Sequence, residues 1–167
     1  MQNSFITERL SIDLVTINDD GFILELVNSK GWLDYIGDRG IHSKEEAVSY
    51  IEKILNNQNF TYWVVRLKDN NIPIGIISFI KRSYLKHYDI GFAFLPNFEG
   101  HGYGFEAAKE VLLKVIQHPE HLYILATTVP QNINSIKLLK KLGLQFNEEI
   151  KVENEMLQVY SIKHENV

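Results

Sequence analysis

The stretch that decides the fold is residues 89–107, which read DIGFAFLPNFEGHGYGFEA. An apolar run ends at Pro96, glycines follow at positions 100, 102 and 104, and an amphipathic segment begins directly after them. Glycine permits positive φ and a close approach of ligand to backbone, and the first N–H groups of a helix lack partners within the helix. We therefore predict a strand, a turn and a helix whose N-terminus can hold a phosphate or pyrophosphate.

Two other phosphate-binding motifs do not fit the glycine run. No Lys-Ser or Lys-Thr pair follows the glycines, so the lysine and the metal-binding hydroxyl of a P-loop are absent. The spacing differs from Gly-x-Gly-x-x-Gly, and the strand before it follows other strands instead of opening a βαβ unit. An ordinary turn without a ligand remains the alternative interpretation of the glycines.

The surrounding chain alternates between strand and helix patterns. Before the glycines, short connections predict an antiparallel meander of three strands, 62–67, 72–80 and 88–95. The meander follows a strand at 4–15 and two helices, one after the capping candidates at 18–20 and one after Ser43, where Glu46 completes a capping box. After the glycines we predict helix 105–117, strand 122–129, helix 132–142 ended by Gly143, and strands 146–150 and 157–162. The fold class is α/β (α+β), a mixed, mostly antiparallel central sheet with helices on both faces.

Length and composition limit the kind of protein. The 167 residues are 45% hydrophobic and 23% charged, which predicts one globular domain over residues 1–167. The absence of cysteine excludes disulfides, thiolate metal sites and a cysteine nucleophile. A net charge of −4 disfavours a general electrostatic grip on nucleic acid. Because the sequence shows neither a membrane span nor a signal-peptide pattern, the expected location is the cytoplasm, with no membrane partner.

Five segments in the same order resemble the GNAT family of N-acetyltransferases, and most closely its Rim-type branch, the relatives of ribosomal-protein N-terminal acetyltransferases. Residues 99–104 resemble the family's acetyl-CoA pyrophosphate loop, Gln/Arg-x-x-Gly-x-Gly/Ala, although Glu99 departs from Gln or Arg. Leu144 stands where the family usually has Phe. The resemblance covers about residues 7–162 and implies the GNAT acyl-CoA N-acyltransferase fold. The other four segments are 7–10, 73–77, 90–96 and 132–143.

The resemblance implies acetyl-CoA as co-substrate and no metal. In the family the fourth and fifth strands diverge, and the pantetheine arm pairs with the fourth strand. That implies contacts at Phe94 and Leu95, with an oxyanion-stabilising N–H near Leu95. The pyrophosphate would lie on the amides of the glycine loop. Asn132 matches a position that contacts the CoA arm, and a plain helix N-cap is its alternative role. The implied cofactor-binding residues are Phe94, Leu95, Glu99, Gly100, His101, Gly102, Tyr103, Gly104 and Asn132.

The implied reaction is direct attack of a primary amine on the thioester, without a covalent enzyme intermediate. Ser135 matches the serine proposed to protonate the leaving thiolate, although a hydroxyl at a helix start also serves as a cap. Asp89 and Glu148 are candidates for the general base, and either would need a raised pKa or a water relay to deprotonate an ammonium. Water alone is the third candidate.

The expected acceptor is a protein N-terminus or a small-molecule amine, used by a monomer or a homodimer. The acidic overall charge mildly favours a cationic acceptor. Trp32, Tyr35 and Tyr84 are candidates for the acceptor pocket, with a core or surface role as the alternative. Because no general base is obvious, the rival hypothesis is a non-catalytic acyl-CoA-binding regulatory module. A generic nucleotide-binding domain is a third interpretation.

Overall fold

The computed structural model of the chain describes residues 3–166. Within that range it contains a single mixed sheet and five α-helices. The helices are α1 (Asp20–Val27), α2 (Lys30–Tyr35), α3 (Lys44–Leu55), α4 (Tyr103–Val115) and α5 (Ile133–Lys141). The strands are β1 (Ser4–Ile6), β2 (Leu10–Leu14), β3 (Phe60–Leu67), β4 (Pro73–Ile80), β5 (Asp89–Phe94), β6 (Tyr123–Thr128), β7 (Gln145–Val152) and β8 (Glu155–Lys163).

The strands follow the order β1-β2-β3-β4-β5-β6-β8-β7 across the sheet. Every neighbouring pair is antiparallel except β5 and β6, which are parallel. Since β6 follows the helix α4 in the chain, this parallel pair is the one that needs a crossover connection. The predicted meander is confirmed, and its three strands are β3, β4 and β5.

Two apolar clusters lie on opposite faces of the sheet. On one face α4 and α5 pack against the sheet through residues such as Ala108, Leu112 and Leu139. On the other, α1 and α3 pack through Leu26 and Ile51. Helices therefore cover both faces, which confirms the predicted fold class.

The sequence patterns place most elements within a few residues of their observed bounds. Ser43 caps α3 as predicted: Glu46 N donates to Ser43 Oγ at 3.2 Å, and the Glu46 carboxylate accepts from the backbone N–H of Ser43 at 3.2 Å. The predicted strand 4–15 is instead the hairpin of β1 and β2, because Thr7 makes a turn in which Leu10 N donates to Thr7 Oγ1 at 3.0 Å.

The short helix α2 was not predicted. Of its six residues only Trp32 is buried, so α2 lacks the repeated apolar positions from which a helix is predicted. None of the helices in residues 3–166 is both long and apolar enough to cross a membrane.

Candidate active site

The central feature of the site is a gap in the sheet. Pairing between β5 and β6 is confined to Asp89 opposite Leu125, after which the strands diverge. A cavity of about 630 Å³ occupies the gap, and residues of β5, β6, α2 and the N-terminal ends of α4 and α5 line it. The divergence implied by the family resemblance is therefore present.

The pairing of β5 with β4 decides which backbone groups face the gap. Leu95 N donates to the Ile74 carbonyl at 2.9 Å, so Leu95 directs its N–H towards β4. Because these directions alternate along an antiparallel strand, the N–H and C=O groups of Phe92 and Phe94 point towards β6. The expectation at Leu95 is corrected accordingly: its N–H is already used, its side chain is buried in the core, and it does not line the cavity.

The glycine loop forms one end of the cavity. Gly100 and Gly102 have φ of 75° and 82°, which lie in the left-handed region that favours glycine. Gly102 is the N-cap of α4, and the first helical bond runs from Glu106 N to Gly102 O at 3.1 Å. The N–H groups of residues 103–105 thus precede the first intrahelical donor and remain available to an anion. The glycine run is followed by a helix as predicted, but α4 begins at Tyr103, two residues before the predicted start at 105, and includes Gly104.

A network from the β1–β2 turn supports this loop. The Glu106 carboxylate accepts hydrogen bonds from Thr7 Oγ1 at 2.6 Å, Arg9 N at 3.0 Å and Arg9 Nε at 2.7 Å. Arg9 Nη1 also donates to the His101 carbonyl at 3.0 Å, and its guanidinium lies 4.4 Å above the Tyr103 ring. The Arg9 guanidinium therefore places a positive charge beside the glycine loop, although Glu99 stands where the family pattern has Gln or Arg.

Burial opposes ionisation of Glu106, but the hydrogen bonds from Thr7 and Arg9 outweigh it and lower the pKa of this carboxyl. Sequence reasoning gave no role to this network. Thr7 and Arg9 belong to a segment that carries the family resemblance, but nothing local in the sequence connects them with Glu106, which is 97 residues from Arg9.

The start of α5 forms a second helix N-terminus on the cavity. Asn132 is its N-cap, and Asn132 Oδ1 accepts a hydrogen bond from Ser135 N at 3.2 Å. Ser135 is therefore not the cap, and its half-buried side chain makes no hydrogen bond to any of the described residues. Both residues line the cavity. The Ser135 hydroxyl is thus available to a ligand.

Asp89 lies where β5 and β6 begin to diverge, and it is 3% exposed. Arg82 Nε donates to both carboxylate oxygens, at 3.1 and 3.0 Å, and Thr127 Oγ1 donates to Oδ2 at 3.3 Å. Burial raises the pKa of Asp89, and the neighbouring Arg82 and Thr127 offset only part of the rise. Sequence reasoning did not identify either of these partners.

Two further candidates lie away from the cavity. Glu148 is exposed on β7 at the sheet edge, opposite Val159 of β8, and it does not line the cavity. His101 is exposed as well: its Nδ1 lies 2.8 Å from the Glu99 carbonyl and its ring stacks on Tyr103. The other predicted site residues line the cavity: Asp89, Phe94, Glu99, Gly100, Gly102, Tyr103, Gly104, Asn132 and Ser135.

A second part of the cavity, its aromatic end, is rich in aromatic side chains, and α2 brings it close to Glu99, whose Oε1 would lie 3.9 Å from a Cβ on Gly31. Trp32, Tyr35 and Tyr84 line it, as the resemblance implied, and Tyr62 of β3 joins them. Burial raises the pKa of Tyr62, so its hydroxyl stays protonated at neutral pH. Arg39 also lines this end, with its guanidinium 5.7 Å above the Trp32 ring.

Comparison with known proteins agrees with this geometry. The acetyltransferase (GNAT) domain profile matches residues 9–145. An uncharacterized N-acetyltransferase, YnaD, from Bacillus subtilis is 31% identical over 139 residues, which cover 83% of this chain and 81% of that protein.

Solved structures show the same fold. A GNAT-family acetyltransferase from Bacillus anthracis superposes with a TM-score of 0.81 at 26% identity, over 97% of this chain and 99% of that one. The ribosomal-protein-S5-alanine acetyltransferase from Vibrio fischeri gives a TM-score of 0.81 at 20% identity, over 99% and 98% of the two chains. The resemblance to the Rim-type branch is therefore confirmed at the level of the fold.

The family match covers well over half of the chain, and the divergent strands and glycine loop that it implies are both present. The chain belongs to the GNAT family, and it is an acetyl-CoA-dependent N-acetyltransferase.

Proposed function

We propose that this chain binds acetyl-CoA along the gap between β5 and β6 and presents the acetyl group to a primary amine, which attacks the thioester directly. The observation that carries the proposal is the end of strand pairing at Asp89 and Leu125. It leaves the N–H and C=O groups of Phe92 and Phe94 open at a cavity of about 630 Å³. An extended arm that contains amides can pair with such an edge as a strand would.

The glycine loop suits a diphosphate. Its free amides lie at the positive end of the α4 dipole, and Arg9 adds a full charge beside them. A Cβ on Gly102 would lie 3.3 Å from Arg9 Nη2, so a side chain there would fill the space between the loop and the guanidinium. We assign to Arg9 the cationic role that Glu99 does not supply.

Acetyl-CoA supplies the acetyl group as an activated thioester. The open N–H groups of β5 are placed to stabilise negative charge on the carbonyl oxygen of the tetrahedral intermediate. Ser135, whose hydroxyl has no partner among the described residues, donates a proton to the departing sulfur. Asp89 is the candidate base that lines the cavity, and its raised pKa makes it a better proton acceptor than an ordinary carboxylate.

The acceptor in this proposal is a primary amine, either a protein N-terminus or a small molecule. A protein N-terminus is supported by the shared fold with the ribosomal-protein-S5-alanine acetyltransferase. A small molecule is supported by the enclosure of the aromatic end of the cavity by Trp32 and Tyr62.

The test is a CoA-release assay. The purified chain is incubated with acetyl-CoA, a panel of amines and a thiol reagent, and CoA binding is measured in parallel by calorimetry. Release of CoA that depends on both enzyme and amine supports the proposal. Saturable binding of CoA without amine-dependent release supports the non-catalytic acyl-CoA-binding module. ATP that competes as well as CoA would favour a generic nucleotide site.

A further inference from the structure

The aromatic end of the cavity has an unusual balance of charge. Arg82 and Asp89 form an ion pair at 3.0 Å, so their charges largely cancel. Arg39 differs, because no carboxylate of residues 3–166 lies within ion-pair distance of its guanidinium. Its charge also acts on the Tyr62 hydroxyl, where it partly offsets the rise in pKa that burial causes. One uncompensated cation therefore faces this end of the cavity.

Two groups near Arg39 can only donate hydrogen bonds. Its guanidinium lies over the ring of Trp32, which is 4% exposed. The indole Nε1 of Trp32 is itself buried and has no hydrogen-bond partner among the described residues. Guanidinium and indole N–H groups can only donate. An oxygen-rich anion is the chemical complement of this corner.

A hydroxyl without a partner in the described part of the chain lines the cavity at Ser78. Tyr62, Ser78 and Gly91 are lateral neighbours on β3, β4 and β5. Ser78 is 8% exposed and lines the cavity, yet its hydroxyl has no partner among residues 3–166. Gly91 leaves room for it, because a Cβ there would lie 2.6 Å from Ser78 Oγ. The Ser78 hydroxyl keeps some accessible surface in the cavity, so a polar ligand group can pair with it.

Two carboxylates of residues 3–166 besides Asp89 line the cavity: Glu99, whose Oε1 would lie 3.9 Å from a Cβ on Gly31 of α2, and Glu155. Glu155 is exposed and lines the cavity beside Tyr84, where it adds to the rise in pKa that burial causes. Arg39 lies over Trp32, which packs against β3 and β4, whereas Glu155 begins β8, on the other side of the gap. This separation suits a ligand that carries a positive and a negative group.

We propose that the acceptor is a primary amine that also carries a carboxylate, with Arg39 binding the carboxylate and the Ser78 hydroxyl accepting a hydrogen bond from the amine. This inference rests on the proposed function. The ammonium loses one proton and its nitrogen then bonds to the acetyl carbon; the nitrogen loses a second proton, and the carbon–sulfur bond breaks. Sulfur leaves with the bonding electrons and takes up a proton, so the products are an N-acetyl amino acid group and CoA.

The local positive charge of Arg39 therefore has more influence on which acceptor binds than the net charge of the chain. A net charge of −4 mildly favours a cationic acceptor, but the second ammonium of a polyamine would lie near Arg39 and be repelled. A carboxylate at the same point would form a charge-assisted, bidentate contact.

The experiment compares acceptors that differ only in the carboxylate. The full chain is assayed with free amino acids and with the matching amino-acid amides. A second arm uses short peptides with an acidic or a neutral first residue, and spermidine is the polycation. We expect kcat/KM for the carboxylate member of each pair to be higher by about tenfold. In each arm, kcat/KM for the carboxylate acceptor is divided by kcat/KM for its neutral counterpart. The arm with the larger ratio shows whether the acceptor is a free amino acid or an acidic protein N-terminus.

Substitution of Arg39 then tests the assignment. Arg39→Gln should reduce the carboxylate-to-amide ratio of kcat/KM to near one, and Arg39→Lys should restore part of the preference. Lys86→Gln removes a charge at an exposed position outside the cavity and should leave the ratio as in the wild type. Equal use of acids and amides, a preference for spermidine, or a ratio unaffected by Arg39→Gln would each overturn the proposal.

A binding readout separates this inference from the proposed function. Thermal shift with saturating CoA reports acceptor binding without turnover. If no amine releases CoA, the transferase mechanism fails, but carboxylate-dependent stabilisation that is lost in Arg39→Gln still supports the anion site. Active turnover without carboxylate dependence overturns only the acceptor class. The absence of a shift with every carboxylate amine overturns the anion site.

Discussion

Replacing Glu106 with glutamine tests whether the β1–β2 turn controls CoA binding. The carboxylate accepts three hydrogen bonds, from Thr7 Oγ1 and from Arg9 N and Nε. A glutamine side chain keeps one acceptor oxygen and presents an NH₂ group to donors, so at least one of these bonds is lost. The Arg9 side chain is 43% exposed, so solvent screening weakens the pair. We expect a loss of about 1–2 kcal/mol in unfolding free energy, or roughly 3–6 °C in Tm.

Glu106→Gln should also weaken the binding of acetyl-CoA, because the Arg9 side chain gains conformational freedom when it loses its partner. Glu106 and the His101 carbonyl together fix its guanidinium beside the loop. Ordering a freed arginine costs about 1.5–2 kcal/mol on binding. We therefore expect KM for acetyl-CoA to rise about tenfold with little change in kcat, since 1.4 kcal/mol corresponds to a factor of ten.

The matched control is Glu110→Gln, one turn further along α4, where the carboxylate makes no hydrogen bond to any described residue. Steady-state kinetics and calorimetric titration with CoA give KM, kcat and Kd for both variants. A Glu106→Gln protein with lower Tm but wild-type KM would refute the reasoning, because the network would then stabilise the fold without positioning Arg9. Equal changes in both variants would refute it as well.

Four further outcomes are expected. Gly102→Ala forces alanine to φ of 82° with its Cβ 3.3 Å from Arg9 Nη2, and should weaken CoA binding roughly tenfold by calorimetry, whereas Gly40→Ala, at φ of 64° with nothing within 4 Å, should not. Ser135→Ala should lower kcat with nearly unchanged KM, and wild-type turnover would leave its hydroxyl without a role. Asp89→Asn should abolish the fall in kcat/KM at acidic pH, which the wild type shows as its raised pKa is crossed. Because the pKa of Glu106 is lowered from 4.5, its stabilisation is complete above pH 4.5 and lost as pH falls through the folded-state pKa, so denaturation curves of wild type and Glu106→Gln should converge in acid.

Local patterns in the sequence were sufficient for the elements that frame the site. The glycines at 100 and 102 predict positive φ, and both adopt it. The Ser43–Glu46 capping box depends on a spacing of three residues and is present. Gly143 ends the segment after α5 with φ of 95°. Each of these features is determined by residues within one helical turn, which is the range that periodicity and capping rules describe.

Features set by distant residues could not be predicted in this way. The direction of the Leu95 N–H depends on its pairing with Ile74, and a shift of one residue reverses which backbone groups face the gap. Glu148 follows a glycine in sequence, but the order of β8 and β7 places it on the outer strand. The partnership of Arg9 with Glu106 joins residues 97 positions apart. In each case the deciding contact is tertiary.

The single register pair between Asp89 and Leu125 makes the sheet almost two separate sheets, β1–β5 and β6–β8, joined along a seam. A ligand that lies in the seam and pairs with Phe92 and Phe94 takes the place of a missing strand. Such a ligand ties the two parts together, and the backbone amides along the seam exchange with solvent deuterium more slowly when it is bound. The seam that opens the cavity is thus also a place where few backbone hydrogen bonds join the two parts of the sheet.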